Sequence, residues 1–552
     1  MIPASFRRLY ALLTPRDRRN AGILFAMMLV GAVLEVLGVA SVPVFVGALV
    51  SEDLLRDYPT AAAALDALGL DTTVELVLWG AGALIAIYGL KCAFLLVNHY
   101  GQVRYATRRR ADLVRRLIRA YLSAPYAMHL KRNSSELIRN IDREASIIAY
   151  QLIGTVLDFC TQLLVLVAVF GLLFVVEPVV TLYWIAFFGA IGIVAVLLAA
   201  KRLRRYGQRD QKARAAFVQI LYEAFGGIKE AMVLNREGYF ADRVDEVNRT
   251  IAEVHLYKHL FSRSIMPVSE FVAVVGMLIL TAALVLSGRS TESVLITLSL
   301  FGVGLVRLRQ TVSGAMLYWT NLRYNLVSVD PVFEDLSLLE GKGRDIFSAP
   351  PQPINLKDEV ALQDIWHRYP GAKEFALQDI NVTIPKGGAI AFVGSTGAGK
   401  STLIDVLMGL LQPERGGVFA DGTDVRELGL ARWRARVGYV PQAIYLLDDT
   451  IRRNIAFGVP DEAIDEGALG QAIEAAQLGA FLARQSDGVA TIIGERGARL
   501  SGGERQRIGS PARSTTIRRS SSSTRRRPPS TTPPNARSSA RSTSCAASGR
   551  SS

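Results

Sequence analysis

Nine consecutive residues, Gly394-Ser395-Thr396-Gly397-Ala398-Gly399-Lys400-Ser401-Thr402, carry the plainest chemistry in the chain. Glycines at this spacing let the backbone curl so that its N–H groups converge and can hold phosphate oxygens at the start of a helix. The Lys400 ammonium can then reach the outer phosphates of a nucleotide, and the Ser401 hydroxyl can ligate Mg²⁺. Such a loop needs a strand before it and a helix after it. An apolar run, Ala389-Ile-Ala-Phe-Val393, precedes it, and the helical pattern Leu403-Ile-Asp-Val-Leu-Met-Gly-Leu410 follows. A glycine-rich turn that merely stands beside a lysine is the alternative, and the flanking pattern argues against it.

About a hundred residues later stands Leu500-Ser501-Gly502-Gly503-Glu504-Arg505-Gln506-Arg507. With this second motif the chain resembles the ABC (ATP-binding cassette) ATPases, whose signature has this spelling. The resemblance covers residues 360–509 by motif, and more loosely the apolar part before them. It implies roles for further residues. Tyr369, in Trp366-His-Arg-Tyr-Pro370, matches the aromatic that stacks on adenine, and Gln442, in Val437-Gly-Tyr-Val-Pro-Gln442, matches the glutamine that joins Ser401 at the metal. The implied ligands are ATP and Mg²⁺. Paired cassettes in this family face head to tail, so Ser501, Gly502, Gly503 and Glu504 would close over the nucleotide of the partner. One chain carries one cassette, so a homodimer, or a heterodimer with another half-transporter, is implied. Thr450-Ile-Arg-Arg-Asn-Ile455 and Glu495-Arg-Gly497 are similar to exporter-type cassettes.

These motifs occupy only the second half of a 552-residue chain, which is long enough for two or more domains. The first 325 residues hold six apolar stretches near 21–50, 74–97, 150–176, 179–200, 260–287 and 294–318, each long enough to cross a bilayer, which takes about 20 residues. Orientation follows from the basic residues. The segment between the second and third stretches contains Arg104, Arg108, Arg109, Arg110, Arg115 and Arg116 among others, whereas the loop after the first is acidic, with Glu52, Asp53, Asp57, Asp66 and Asp71. Both termini and the two long loops are therefore expected in the cytoplasm of an integral protein of a bacterial inner or plasma membrane. Apolar stretches two to five read as helices that run on past the bilayer. By resemblance to exporters, they would end in short coupling helices near 124–131 and 222–231.

Ionisable residues inside such stretches are costly and usually functional. Arg307 and Arg309 stand about halfway along the sixth stretch, and a separation of two residues, roughly 200° on a helix, puts them on different faces. Arg307 shares its face with Gln310, Thr311 and Gly314 and is the better candidate for a cavity that meets an anionic substrate. The alternative is that both arginines belong to ion pairs, with Glu35 and Glu270 as partners. Gly31 and Gly38 flank Glu35 one turn each way, which suggests close helix packing. Lys91 is less informative, since its stretch leaves the membrane soon afterwards.

The net charge of +14 could suggest a nucleic-acid partner, but its location argues otherwise. Residues 510–552 hold nine arginines and no acid, so without them the excess falls to about +5. That segment also lacks an aromatic residue to stack on bases, so no nucleic acid is expected. Cys92, Cys160 and Cys545 have neither paired nor metal-ligand spacing. Residues 330–358 read as a linker, with Ala349-Pro-Pro-Gln-Pro353 near its end. Beyond them, short β-rich runs alternating with helical segments suggest an α/β domain with a mainly parallel sheet.

After Gly509 the family pattern stops. An apolar strand ending in the Walker B aspartate and the catalytic glutamate should follow, then a D-loop and a switch histidine. Instead the chain has no Asp or Glu after Glu504 and no His after His367. A tail of Ser, Arg, Thr and Pro cannot build a core and is expected to be disordered. A reading-frame shift accounts for it. GC-rich codons for residues 510–531, read one base out of register with an A borrowed from the Gly509 codon, spell IARALYHDPEVLVFDEATSALD. The Asp-Glu pair of that passage falls where Thr524 and Arg525 stand.

The expected architecture is thus an all-α membrane domain of six transmembrane helices (1–325), a linker (326–357), a truncated α/β P-loop NTPase domain (358–509) and the tail (510–552). The resemblance implies a half-transporter of the exporter type that uses ATP to move a lipid-linked or amphipathic substrate. The start of the chain and the arginines of the sixth stretch look most like lipid-linked oligosaccharide flippases; peptide, lipid or drug substrates remain open. No catalytic residue is intact beyond the retained Gln442, so hydrolysis is expected to be impaired. A catalytically silent subunit of a heterodimer and a non-functional truncated product are the competing readings.

Overall fold

The structure is a computed structural model that describes residues 4–50, 73–286, 291–341, 351–494 and 497–509. It divides into two compact units, one of Met1–Ala124 with Met128–Arg344, the other of Pro125–Ala127 with Asp345–Ser552.

The first unit is helical. α1 (Ala4–Ala11) leads to α2 (Pro15–Val50), whose start is set by a reciprocal cap. The Thr14 N–H donates to Asp17 at 2.9 Å and the Asp17 N–H to the Thr14 hydroxyl at 3.4 Å, with Pro15 in the first turn, where its missing N–H costs nothing. α3 (Thr73–Ser123) is followed by the short α4 (Tyr126–Lys131) and by α5 (Ser134–Arg139), capped by Asn133. π-helical turns at Asn140–Glu144 and Ile147–Ile153 carry the chain into α6 (Gly154–Val176). α7 (Pro178–Gly226), short α8 (Ile228–Val233), α9 (Glu237–Leu286), α10 (Thr291–Asn325) and α11 (Val329–Leu339) complete the unit.

All six apolar stretches lie on these helices. Among the described residues, four helices are long and apolar enough to cross a membrane, and Pro178–Val194 is a shorter apolar piece. α3, α7 and α9 have 51, 49 and 50 residues. At 1.5 Å per residue each exceeds about 70 Å, more than twice a bilayer's hydrocarbon core, so the extensions expected from sequence are present. Short helices stand where coupling helices were expected, as α4 and α8. The acidic loop at 51–72 and residues 288–290 lie outside the described residues.

Packing explains which faces turn inward. One core joins α1, α3 and α11 through Leu9, Leu113, Leu117, Leu152 and Val332; another joins α6, α7, α9 and α10 through Val169, Trp184, Leu280 and Leu308. Large apolar side chains such as Ile85, Leu90, Val175 and Leu286 point outward instead, as they must where the solvent is lipid. The helix ends are tied by buried charge. Asp335 of α11 is 1% exposed and accepts from Tyr121 at 2.5 Å, Asn140 at 2.9 Å and Arg132 at 2.7 Å.

In the second unit β1 (Glu359–His367), β2 (Leu377–Pro385), β3 (Arg415–Ala420) and β4 (Thr423–Asp424) form one sheet of order β2-β1-β3-β4. Every pairing in it is antiparallel, which corrects the expectation of a mainly parallel sheet. The apolar run 389–393 forms no strand beyond a single bridge residue at Ala391, and Val393 is 79% exposed. A parallel central strand needs partners on both edges, and the resemblance places the remaining central strands after Gly509, outside the described residues. Helices α12 (Lys400–Leu407), α13 (Val425–Leu428), α14 (Leu430–Arg434), α15 (Ile451–Ile455), α16 (Glu466–Ala475), α17 (Gly479–Leu482) and α18 (Gly502–Gly509) complete the unit.

Replacing Asp335 by Ala strands three polar partners in a buried site. The expected loss is about 3–5 kcal/mol, measurable as a lowered unfolding midpoint of the detergent-solubilised chain.

Candidate functional site

The phosphate loop is shaped by its glycines. Gly397 and Gly399 have φ of 90° and 82°, left-handed values that favour glycine. Gly399 also caps α12, and a Cβ there would lie 2.5 Å from the Ala376 carbonyl oxygen. α12 is anchored by buried Thr402, Leu403 and Val406. The Lys400 ammonium is folded back to donate to the carbonyls of Gly394 and Ser395, at 2.8 and 2.7 Å. Ser395, Thr396 and Ala398 line an exposed turn, and Ser401 opens the helix beside it. Two left-handed glycines, a nearby ammonium and a helix N-terminus are the parts from which a phosphate-holding loop is built.

Tyr369 is brought to this loop. Its hydroxyl lies 3.1 Å from the Thr402 hydroxyl, and its ring packs edge-on against His367. Buried His367 is held in turn by the Gln412 carbonyl at 3.0 Å. Gln442 sits exposed on an irregular segment. For Mg²⁺ the chain offers Ser401 and Gln442, two neutral oxygens, and among the described residues no cluster of carboxylates, histidines or cysteines joins them. An octahedral ion bound here would take most of its ligands from phosphates and water.

The signature forms a second, separate group. The Ser501 N–H and hydroxyl donate to the Glu504 carboxylate at 2.8 and 2.7 Å, and the Glu504 N–H returns a bond to the Ser501 hydroxyl at 3.3 Å. This is a capping box at the start of α18, a site feature whose signal in the sequence is the Ser-x-x-Glu spacing. The Ser501 hydroxyl holds the Glu504 carboxyl below its ordinary range. Gly502 and Gly503 form the first turn. α18 rests on a core of Leu446, Ile451, Ile455, Phe481 and Ile508, whereas the phosphate loop rests on one of Leu362, Ile365, Leu403, Val406 and Trp433. Asn454, buried in α15, ties the segment between them through the Leu447 N–H and carbonyl at 2.8 and 3.1 Å.

In the membrane unit, Arg307 pairs with Glu35 and donates to Gln310 at 3.4 Å. Lys91 donates to the same Glu35 oxygen at 2.9 Å, so this lysine belongs to the site after all. Its signal was the only cation deep in the apolar part of α3. Gly38 makes room for it: a Cβ there would lie 3.3 Å from the Lys91 ammonium. Arg309 lies 3.9 Å from Glu270. Both arginines thus have the carboxylate partners that the ion-pair alternative names, and the Glu35 cluster keeps one positive charge in excess.

Comparison with known proteins adds the following. The family model for the ABC transporter transmembrane region matches residues 24–307, and that for the ABC transporter cassette matches residues 377–509. An ATP-dependent lipid A-core flippase from Syntrophus aciditrophicus is 26% identical over 517 residues, covering 91% of this chain and 79% of the relative. A protein of the same name from Alkalilimnicola ehrlichii is 29% identical over 331 residues, 58% of this chain; the chain spans about half of that relative, 54%. The solved structure of a bacterial Atm1-family ABC exporter with ATP bound superposes with a TM-score of 0.70 over 90% of this chain and 83% of the other, at 20% identity, which shows the shared fold.

Two outcomes are expected. Lys400→Ala and Gly399→Ala should each weaken binding of a fluorescent ATP analogue by about tenfold or more, from the loss of a charged hydrogen bond and of the loop's backbone geometry respectively. Since the Glu504 carboxyl is lowered on folding, its stabilisation of α18 is present above its ordinary value of 4.5 and lost as pH falls through the lowered one. Protection of the 502–509 amides, taken relative to their intrinsic exchange rate at each pH, should therefore fall in acid, and Glu504→Gln should remove that dependence.

Proposed function

The chain belongs to the ABC transporter family, and we propose that it is half of an exporter or flippase in which ATP binding between paired cassettes drives a six-helix membrane domain. The observation that carries this reading is the phosphate loop, folded around Lys400 at the start of α12, in a chain whose first unit is built of bilayer-length apolar helices. Two copies, or one copy and another half-transporter, would complete each nucleotide site, with Ser501, Gly502 and Gly503 acting on the partner's ATP. Tyr369 would stack on the adenine. α4 and α8, at the ends of the long helices, would carry the motion. The basic segments at 104–119 and 201–204, set against the acidic sequence of 51–72, support cytoplasmic termini in a bacterial inner membrane.

For the substrate, we favour an amphipathic, lipid-linked molecule with an anionic headgroup. The surplus positive charge around Glu35, Lys91 and Arg307 would meet that headgroup, and the relatives' name, lipid A-core flippase, points to the same class. Arg307 is then both ion-pair member and cavity residue: the substrate would compete with Glu35 for it.

As it stands the chain holds only the nucleotide-binding half of the chemistry. The cassette match ends at residue 509 although 43 residues follow. Those residues contain no carboxylate to polarise water or to hold Mg²⁺. A shift of reading frame at Gly509 is our explanation. The same features fit a silent partner that binds ATP and pairs with an intact subunit.

Sequencing the gene across the Gly509 codon and measuring phosphate release separate these readings. An interrupted transporter should show little or no release as the 552-residue chain, with turnover recovered once the neighbouring frame is restored. Turnover at ordinary family rates by the unrepaired chain would contradict the reading, and co-purification with an intact subunit from an unbroken gene would favour the silent partner.

A further inference from the structure

A cavity of about 270 Å³ lies inside the first unit, where the extensions of α6, α7, α9 and α10 converge. Asp210 is its hub. This buried carboxylate lies 3.3 Å from Arg143, 2.8 Å from Arg214 Nε and 3.4 Å from His255 Nε2. Arg214 Nη2 is also 2.6 Å from His255 Nε2. A guanidinium can only donate, so that ring nitrogen accepts and the imidazole is neutral. A third cation, Lys258, has its ammonium 4.2 Å from the centre of the Tyr324 ring. Glu144 also borders the cavity, but Arg139 approaches it at 3.7 Å. Arg143, Arg214 and Lys258 therefore face Asp210 and the more distant charge of Glu144, a surplus of at least one positive charge in partly buried walls.

If Asp210 served only to knit the helices together, neutrality would be favoured, because buried charge is stable only when it is answered. Nor can the helices close the space. α7 and α10 already touch at Gly207, where a Cβ would come within 2.3 Å of the Tyr324 carbonyl oxygen. The volume is just under the range that holds drug-sized ligands, and suits a phosphoryl group with a few attached atoms. Its level is informative as well. Lys258 and Tyr324 stand two and six residues outside the apolar stretches at 260–287 and 294–318, and Arg143 seven residues before that at 150–176. Asp210 and Arg214 stand ten and fourteen residues beyond that at 179–200, so the cavity begins at the level of lipid headgroups and extends up to about 20 Å past it.

We propose that this cavity binds a phosphate ester or phosphate ion through Arg143, Arg214 and Lys258, at a site separate from both the nucleotide loop and the Glu35 cluster. Forked guanidiniums match phosphoryl oxygens pairwise, and the lysine adds a point charge. An anionic phospholipid of the inner leaflet and free inorganic phosphate offer the same chemistry.

The test is thermal unfolding of the full chain in detergent, carried out in a Lys400→Ala background so that the phosphate loop does not contribute. Inorganic phosphate, short-chain phosphatidylglycerol and short-chain phosphatidylcholine are titrated in turn. A lipid site gives a rise in midpoint with phosphatidylglycerol alone; a phosphate site gives it with inorganic phosphate too. Lys258→Gln, which breaks no contact to Asp210, should weaken the response roughly tenfold in concentration. Asp210→Asn should strengthen it by removing the competing carboxylate, even where it lowers the starting midpoint. No rise with either anion, or an unchanged response in both variants, overturns the proposal.

Discussion

A buried β-strand must have its backbone N–H and C=O groups answered on both edges, and the second unit is organised by where that condition is met. It is met in β1 and β3, which pair on both edges within residues 359–424, with β2 and β4 as the outer strands of the antiparallel sheet. It is not met at 389–393, the run that should present the phosphate loop from a sheet's edge. The loop still keeps its local form, because left-handed glycines and the anchored face of α12 suffice for that. Its lysine turns onto the loop's own carbonyls. The cost appears at longer range. Two cores form where a complete cassette would have one continuous sheet between them, and Val393 and Tyr445 stay exposed.

The first unit shows the same accounting in a different solvent. No water answers a charge inside an apolar bundle, so each buried carboxylate must find cations. Asp17 meets Arg109, Glu35 meets Lys91 and Arg307, and Asp335 meets Arg132 with two neutral donors. These ties join helices far apart in sequence, while the outward faces stay apolar. Where cations exceed carboxylates, around Glu35 and around Asp210, the imbalance marks places that can accept an anion. Both anion sites proposed for this unit rest on that surplus.

Much of this was legible in the sequence. Local motifs carried the phosphate loop, the signature and the start of α12, because glycine torsions act within a few residues. Apolar length and basic bias located the long helices. The pairing of Arg307 with Glu35 was foreseen only as one of two options, since a helix wheel gives the face of a residue and not its neighbour. Lys91 was passed over for a like reason: its partner lies 56 residues away on another helix. The parallel sheet was misjudged because alternation of strands and helices describes what a segment could form, whereas a strand exists only if its neighbours do. Glu504's cap shows the reverse, a contact between residues three apart that the letters alone carry.

The central claim is that residues 389–393 lack sheet partners while the phosphate loop beside them is formed. Hydrogen–deuterium exchange of the purified chain, resolved to peptides, tests this most directly. The account predicts rapid exchange across 389–393 beside slow exchange in β1 and β3, with ATP slowing exchange in 394–402 alone. Slow exchange at 389–393 without ATP, equal to that of β1, would mean that the central sheet is complete, and the account of an interrupted cassette would be wrong.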